Sequence, residues 1–310
     1  MDARTRLVPS DFNGDKRTDV LMFREDKQKI AYYDVLGVDD VTYVEVMSAD
    51  LTSWDVLGHG DFNDDGHADV AIQRTDKQKL AYYWFEEDGT PRYQQIINAD
   101  LSTWNFLGIG DFNGDGRSDL LIQNGPQTTL AYYSILDEAP FIDYDRVVSA
   151  NLSNYDIVGI TDMDDNGKDD IVFWKNNKTN LFYYTDVDGS GNPLYTSIWA
   201  GPLLAWDIPA VGDFDGNGSG DLALLRTDQQ KLAYYSILED GSLDYTEIIQ
   251  ADLTAWNFLG AGDYDGDGRS DLLIQNALET TLAYYSPVDG GGVNYARILG
   301  ADLTAWTIIP

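Results

Sequence analysis

Residues 104–124 read WNFLGIGDFNGDGRSDLLIQN, and residues 256–276 read WNFLGAGDYDGDGRSDLLIQN. The acidic nonapeptide at the centre of this stretch recurs six times. It runs DFNGDKRTD from Asp11, DFNDDGHAD from Asp61, DFNGDGRSD from Asp111, DMDDNGKDD from Asp162, DFDGNGSGD from Asp213 and DYDGDGRSD from Asp263, with 50 or 51 residues from one copy to the next. Outward from each copy lie the same four apolar segments: W-x-x-L-G before it, D-L-L-I-Q after it, then L-A-Y-Y, then Y-x-x-I-I. Each is short, rich in Val, Ile, Leu, Tyr and Trp, and bounded by Gly, Asp and Asn, which is the pattern of strands joined by tight turns. No segment reads as a helix. Four strands per repeat of about 50 residues predict an all-β propeller blade. A lone blade leaves both faces bare, so the repeats must stack into one closed domain over 1–310. The approximate repeats are 4–53, 54–103, 104–154, 155–205, 206–255 and 256–310.

Repeats 2 and 3 match repeats 5 and 6 closely, as RTDKQKLAYY from Arg74 against RTDQQKLAYY from Arg226 shows, while repeats 1 and 4 match less well. A duplicated three-blade unit explains this. At the ends, WTIIP (306–310) restarts the first strand, whereas Arg4–Ser10 hold the same place without the Trp. Six blades are expected, with the C-terminal strand completing blade 1; the alternative is a chain that stops at the start of a seventh.

The pattern D-x-[DN]-x-[DN]-G-x-x-D sets oxygen-bearing side chains at positions 1, 3, 5 and 9 of a tight loop. The candidate metal ligands are Asp11, Asn13, Asp15 and Asp19; Asp61, Asn63, Asp65 and Asp69; Asp111, Asn113, Asp115 and Asp119; Asp162, Asp164, Asn166 and Asp170; Asp213, Asp215, Asn217 and Asp221; and Asp263, Asp265, Asp267 and Asp271. Hard cations such as Ca²⁺ take six to eight oxygens, and Gly at position 6 permits the sharp turn. Without a cation so many carboxylates would repel one another. Asp and Asn also favour turns for their own sake, but six copies at one phase of the repeat argue for up to six Ca²⁺. An EF-hand is excluded, since its twelfth position needs a bidentate Glu and here it is apolar. Lys16 replaces the loop Gly in repeat 1, so loop 1 is expected to be the weakest site and loop 6, with four Asp, among the strongest.

The string L-G-x-G-D-F-N-G-D-G-R-S-D-L-L-I-Q-N resembles the FG-GAP/VCBS repeat of integrin α-subunit propellers, secreted bacterial proteins and propeller lectins. The resemblance spans nearly the whole chain and is most specific in the acidic loop. It implies a calcium-binding propeller. It departs from the family in the Tyr-Tyr pair of the next strand and in Lys16, and it does not carry over a ligand.

The chain has 310 residues, 43% of them hydrophobic, with 20 Lys+Arg against 53 Asp+Glu and a formal charge of −33. That is too apolar for a disordered acidic tail. So negative a surface repels phosphate, so neither nucleic acid nor an anionic membrane is an expected partner. No run of 18 apolar residues exists, and Met1-Asp2-Ala3-Arg4 lacks the plan of a signal peptide. The absence of Cys excludes disulfides, thiol catalysis and Cys-ligated metal. The only two histidines are His59, just before the second loop, and His67, within it, which excludes a repeated His site. No G-x-S-x-G, H-E-x-x-H or phosphate-binding G-x-x-x-x-G-K-[ST] occurs, so no enzyme activity is expected. The Trp series (Trp54, Trp104, Trp206, Trp256, Trp306, with Tyr155 in the fourth slot) and the Tyr doublets are expected to pack between blades. The same rings could stack on sugars, and Trp104 and Gln123 with Trp256 and Gln275 are the candidate ligand residues. The expected function is multivalent glycan binding outside the cell, where Ca²⁺ is abundant and an export signal has been removed. The alternative is a protein-binding or adhesion propeller, or an accessory domain of a larger secreted protein.

Overall fold

The computed structural model describes residues 10–86, 90–136, 142–185, 187, 189–238, 240–288 and 290–309. Six antiparallel sheets are arranged as the blades of a propeller, five with their strands in chain order and the first with the C-terminal strand placed ahead of its three N-terminal ones. In blade 3 the strands are Trp104–Gly110, Asp119–Asn124, Leu130–Ile135 and Ile142–Val148. The second strand is buried along its length except at Asn124, because neighbouring blades cover both of its faces. That is why it reads D-L-L-I-Q without alternation. The fourth strand lies at the rim, with most of its residues exposed or half-buried.

The first strands converge on the axis of the ring. Side-chain volume there is limited, and glycine supplies the clearance. A Cβ on Gly58, Gly108 or Gly159 would come within 2.9, 2.4 or 2.1 Å of Ile109, Ile160 or Val211 on the next blade. In blade 5 this strand is split into Trp206–Asp207 and Val211–Gly212, with Pro209, which has no N–H to give to the sheet, between the halves.

The ring closes through its C-terminus. Trp306–Ile309 pairs with Val20–Arg24, with Trp306 opposite Arg24 as Trp54 is opposite Arg74 in blade 2. The last strand of the sixth expected repeat (256–310) therefore belongs to blade 1, and there are six blades. The strand expected over Arg4–Ser10 lies outside the described residues up to position 9, as does Pro310. At the rim, the Arg297 guanidinium of blade 6 grips Asp39 of blade 1 with two hydrogen bonds.

The hairpin tip between the second and third strands is the same in every blade. Lys27, Lys77, Gln127, Lys178, Gln229 and Glu279 are left-handed there, with φ between 54° and 58°. Each offers its carbonyl to a Leu N–H at 2.9 Å: Leu51, Leu101, Leu152, Leu203, Leu253 and Leu303 in turn. Where the tip residue is Lys, its ammonium reaches the next blade and donates to the Trp54, Trp104 or Trp206 carbonyl.

Candidate cation loops and the aromatic rim

Each nonapeptide leaves the end of a first strand and returns into the second. Its second residue turns inward: Phe12, Phe62, Phe112, Met163, Phe214 and Tyr264 are all buried. Where that residue is aromatic it packs on the first Tyr of the doublet, from Phe12–Tyr32 at 4.9 Å between ring centroids to Phe214–Tyr234 at 5.9 Å. The loop is thus pinned to the blade by an apolar anchor while its polar residues face one another.

The first Asp takes up the turn's own N–H groups. In loop 3, Asp111 accepts from Gly114 at 2.7 Å and from Gly116 at 2.9 Å. Asn113 accepts from Asp115 N–H and Asp115 from Arg117 N–H. The same pattern holds in loop 6 with Asp263, Asp265 and Asp267. Positive φ is needed at positions 4 and 6, which are mostly Gly. Lys16 adopts 72° in loop 1, where Gly116 has 91° in loop 3; for a non-Gly residue this costs about 1–2 kcal/mol.

The ninth Asp differs from the rest. Asp19, Asp69, Asp119, Asp170, Asp221 and Asp271 are at most 2% exposed. One oxygen, Oδ2, accepts the N–H of position 2 at 2.8–3.0 Å. The other, Oδ1, is buried without a hydrogen-bond partner in all six loops. A buried carboxylate oxygen left without a donor costs about 1–3 kcal/mol or more, and six equivalent ones call for a common explanation. Burial pushes these carboxyls up to about 8 for Asp19, Asp170 and Asp221 and about 9 for Asp69 and Asp271, with the other loop carboxylates adding to the effect. A cation seated against Oδ1 would offset that penalty by stabilising the ionised form. The residues present fit such a group: oxygen donors, a hard charge, and one lone oxygen aimed inward per loop. In loops 4, 5 and 6, Asp162, Asp164 and Asp170, then Asp213, Asp215 and Asp221, then Asp263, Asp265 and Asp267, already bring carboxylate oxygens within 4.8 Å of one another.

The loops also form a continuous circle. The N–H of each eighth residue donates to the carbonyl of the first Asp in the loop before it: Ala68 to Asp11, Ser118 to Asp61, Asp169 to Asp111, Gly220 to Asp162, Ser270 to Asp213 and Thr18 to Asp263, at 2.6–2.8 Å. Sequence reading found the loops but not this circle, because nothing in a repeat reveals which copy its backbone will bond.

The residues singled out for ligand binding separate by position. Trp104 and Trp256 are half-buried and stand edge-on to Tyr144 and Tyr295, 6.0 Å between centroids in both cases. Gln123 and Gln275, on second strands, are only 8% and 7% exposed. A signal overlooked in the sequence is the Tyr that opens Y-x-x-I-I. Tyr43, Tyr93, Tyr144, Tyr195, Tyr245 and Tyr295 are 39–52% exposed, one per blade, and each packs on the second Tyr of its doublet. A crevice between blades 2 and 3 is lined by Asn63, Gln94, Gln95 and Arg117 over Tyr82 and Ile96.

Residues 61–122 match the model of the FG-GAP-like repeat family. No curated protein matches the chain at a significant level. Among solved structures, a protein from Lactobacillus plantarum is 9% identical, with a TM-score of 0.50 over 97% of this chain and 88% of that one. A functionally unknown protein from Desulfotomaculum acetoxidans is 12% identical, with a TM-score of 0.49 over 97% and 88%. A proposed 6-phosphogluconolactonase from Bacteroides uniformis is 15% identical, with a TM-score of 0.49 over 90% and 82%. Likeness at these identities concerns the fold alone. The matched segment holds two of the six nonapeptides and the strands between them, and the other blades repeat that unit around the ring: the chain is a six-bladed β-propeller with an FG-GAP-like repeat.

Proposed function

We propose that this propeller is a calcium-loaded, non-enzymatic binding protein that engages glycans outside the cell through several equivalent sites. The lone Oδ1 of the ninth Asp, repeated six times, is the observation that supports the cation. Calcium suits the site better than magnesium, which demands a stricter octahedral shell and retains its waters. Calcium loops in extracellular modules often bind at about 10⁻⁴–10⁻³ M, which supports a location outside the cell. The rim tyrosines support the glycan. Exposed aromatic faces can lie against the C–H face of a sugar ring, and six copies on one ring give avidity to individually weak contacts.

A glycan array probed with and without EGTA tests this reading. Binding should appear in calcium, be inhibited by a simple sugar, and fall when Tyr144 and Tyr295 are both replaced by Ala. The calcium-dependent melting of that variant should survive. An array with no signal in calcium, alongside capture of a protein partner insensitive to sugars, would replace the glycan with an adhesion role.

A further inference from the structure

Next to each loop lies the residue that follows the Tyr doublet on the third strand. In blades 3 to 6 it is a buried hydroxyl: Ser134, Thr185, Ser236 and Ser286. Each bonds to a candidate ligand of its own loop. Ser134 accepts from Asn113 Nδ2 at 3.2 Å, and Thr185 donates to Asp164 Oδ2 at 2.9 Å. Ser236 donates to Asp215 Oδ2 at 2.7 Å, and Ser286 to Asp265 Oδ2 at 3.1 Å. The third strand therefore presents one side chain to the cation loop at a fixed place. Blade 2 fills that place with Trp84 and blade 1 with Asp34.

Asp34 is the only carboxylate at this position in the six blades. Its Oδ1 is buried and has no partner, like Oδ1 of Asp19 in the same loop. The hairpin register that sets Val20 against Tyr33 brings Asp34 beside Asp19, the last residue of loop 1. Asp19, 2% exposed, and Asp34 thus each leave a carboxylate oxygen without a hydrogen-bond partner on adjoining strands beside loop 1. Leaving both without a cation sets like charges side by side with two of their oxygens shielded from water.

We propose that Asp34 is a direct ligand of the divalent cation in loop 1, giving that loop a fifth oxygen side chain contributed from outside the nonapeptide. This rests on the cation reading above. It also reverses the order expected from Lys16. Loop 1 gains a fourth carboxylate, the number that loop 6 has within its nonapeptide, and the Lys16 ammonium is offset. Loop 2, with three carboxylates and Trp84 in place of a polar group, becomes the weaker of the two.

The test is to grow crystals of the whole chain at graded calcium concentrations and read the occupancy and coordination of each loop separately. A carboxylate oxygen of Asp34 should lie within about 2.6 Å of the loop 1 ion. Asp34→Ser, which installs the residue found in three other blades, should raise the calcium needed to half-fill loop 1 at least ten-fold and leave loops 3 to 6 unchanged. Calcium held in loop 1 by the nonapeptide alone, or an occupancy indifferent to Asp34→Ser, overturns the proposal and leaves the cation reading intact. So does calcium in loops 2 to 6 with none in loop 1. Six empty loops at millimolar calcium overturn both.

Discussion

The nonapeptide loops and the hairpin tips both force left-handed residues six times around the ring, but they do so with opposite chemistry. In the tips the left-handed residue is Lys, Gln or Glu and never Gly. The turn accepts the backbone strain and keeps a side chain that, in blades 1, 2 and 4, ties down the next blade. The tip carbonyl is met by a Leu N–H in every copy. In the loops the left-handed positions are mostly Gly, and the side chains that remain are acidic. Every loop leaves one buried carboxylate oxygen with no protein partner. The tips are completed by the protein itself, whereas the loops would be completed by the cation proposed above.

The largest expected effect lies in removing that component. A cation bound only to the folded state stabilises it by about 2.7 kcal/mol per site at a hundred times Kd. EGTA should therefore lower the melting temperature by more than about 10 °C, whereas Lys27→Ala at a tip should cost about 0.5 kcal/mol. A tip variant that costs more than chelation would break the contrast between the two turns.

The pH profile should divide along the same line. In EGTA burial pushes the carboxyls of Asp19, Asp69, Asp170, Asp221 and Asp271 up to about 8 or 9 in the folded state, against 3.8 when unfolded, and raises that of Asp119 in the same direction. Between those values the folded state holds more protons than the unfolded one, so stability should fall as pH rises from about 4 towards 9. Calcium should abolish most of that slope, because the ion replaces the proton. Melting curves at pH 5 and pH 8, each with and without calcium, measure it, and a slope indifferent to calcium would detach the ninth Asp from the cation.

A single substitution sharpens the comparison further. Asp271→Asn keeps the shape and removes the charge. With calcium it should destabilise by about 2–3 kcal/mol through loss of one site, whereas in EGTA at neutral pH the cost should vanish or change sign, because folding no longer has to protonate that side chain. A smaller effect than that of Asp271→Asn is expected at Lys16→Gly, which relieves a φ of 72° and should stabilise the chelated protein by at most about 1–2 kcal/mol.

Much of this was legible in the sequence, for a physical reason. A blade must bury its second strand on both faces and must turn sharply after its first, so D-L-L-I-Q and the acidic loop are forced to recur. The packing of the Tyr doublet on both sides was equally plain, since adjacent strand residues face opposite ways. Contacts between repeats were less accessible. Gln123 reads as a polar residue free to meet a ligand, but it sits on a strand covered by neighbouring blades and is 8% exposed. Asp34 lies 15 residues beyond the end of its loop, and only the hairpin register, which sets Tyr33 against Val20, carries it back to Asp19.

The strand Trp306–Ile309 also bears on how the ring comes to exist. Most strand pairs join residues within one repeat, but Thr307 bonds Glu25 across 282 positions. During synthesis, blade 1 must wait three-stranded, its innermost edge unpaired, until the other five have emerged. An unpaired apolar edge is where chains join one another instead of themselves. Deleting residues 306–310 should therefore yield oligomers that exchange edges between copies, and supplying WTIIP as a free peptide should compete with that exchange. Joining of such long-range partners also places this propeller among slow folders, with the final strand acting as the latch that converts an open arc into a ring.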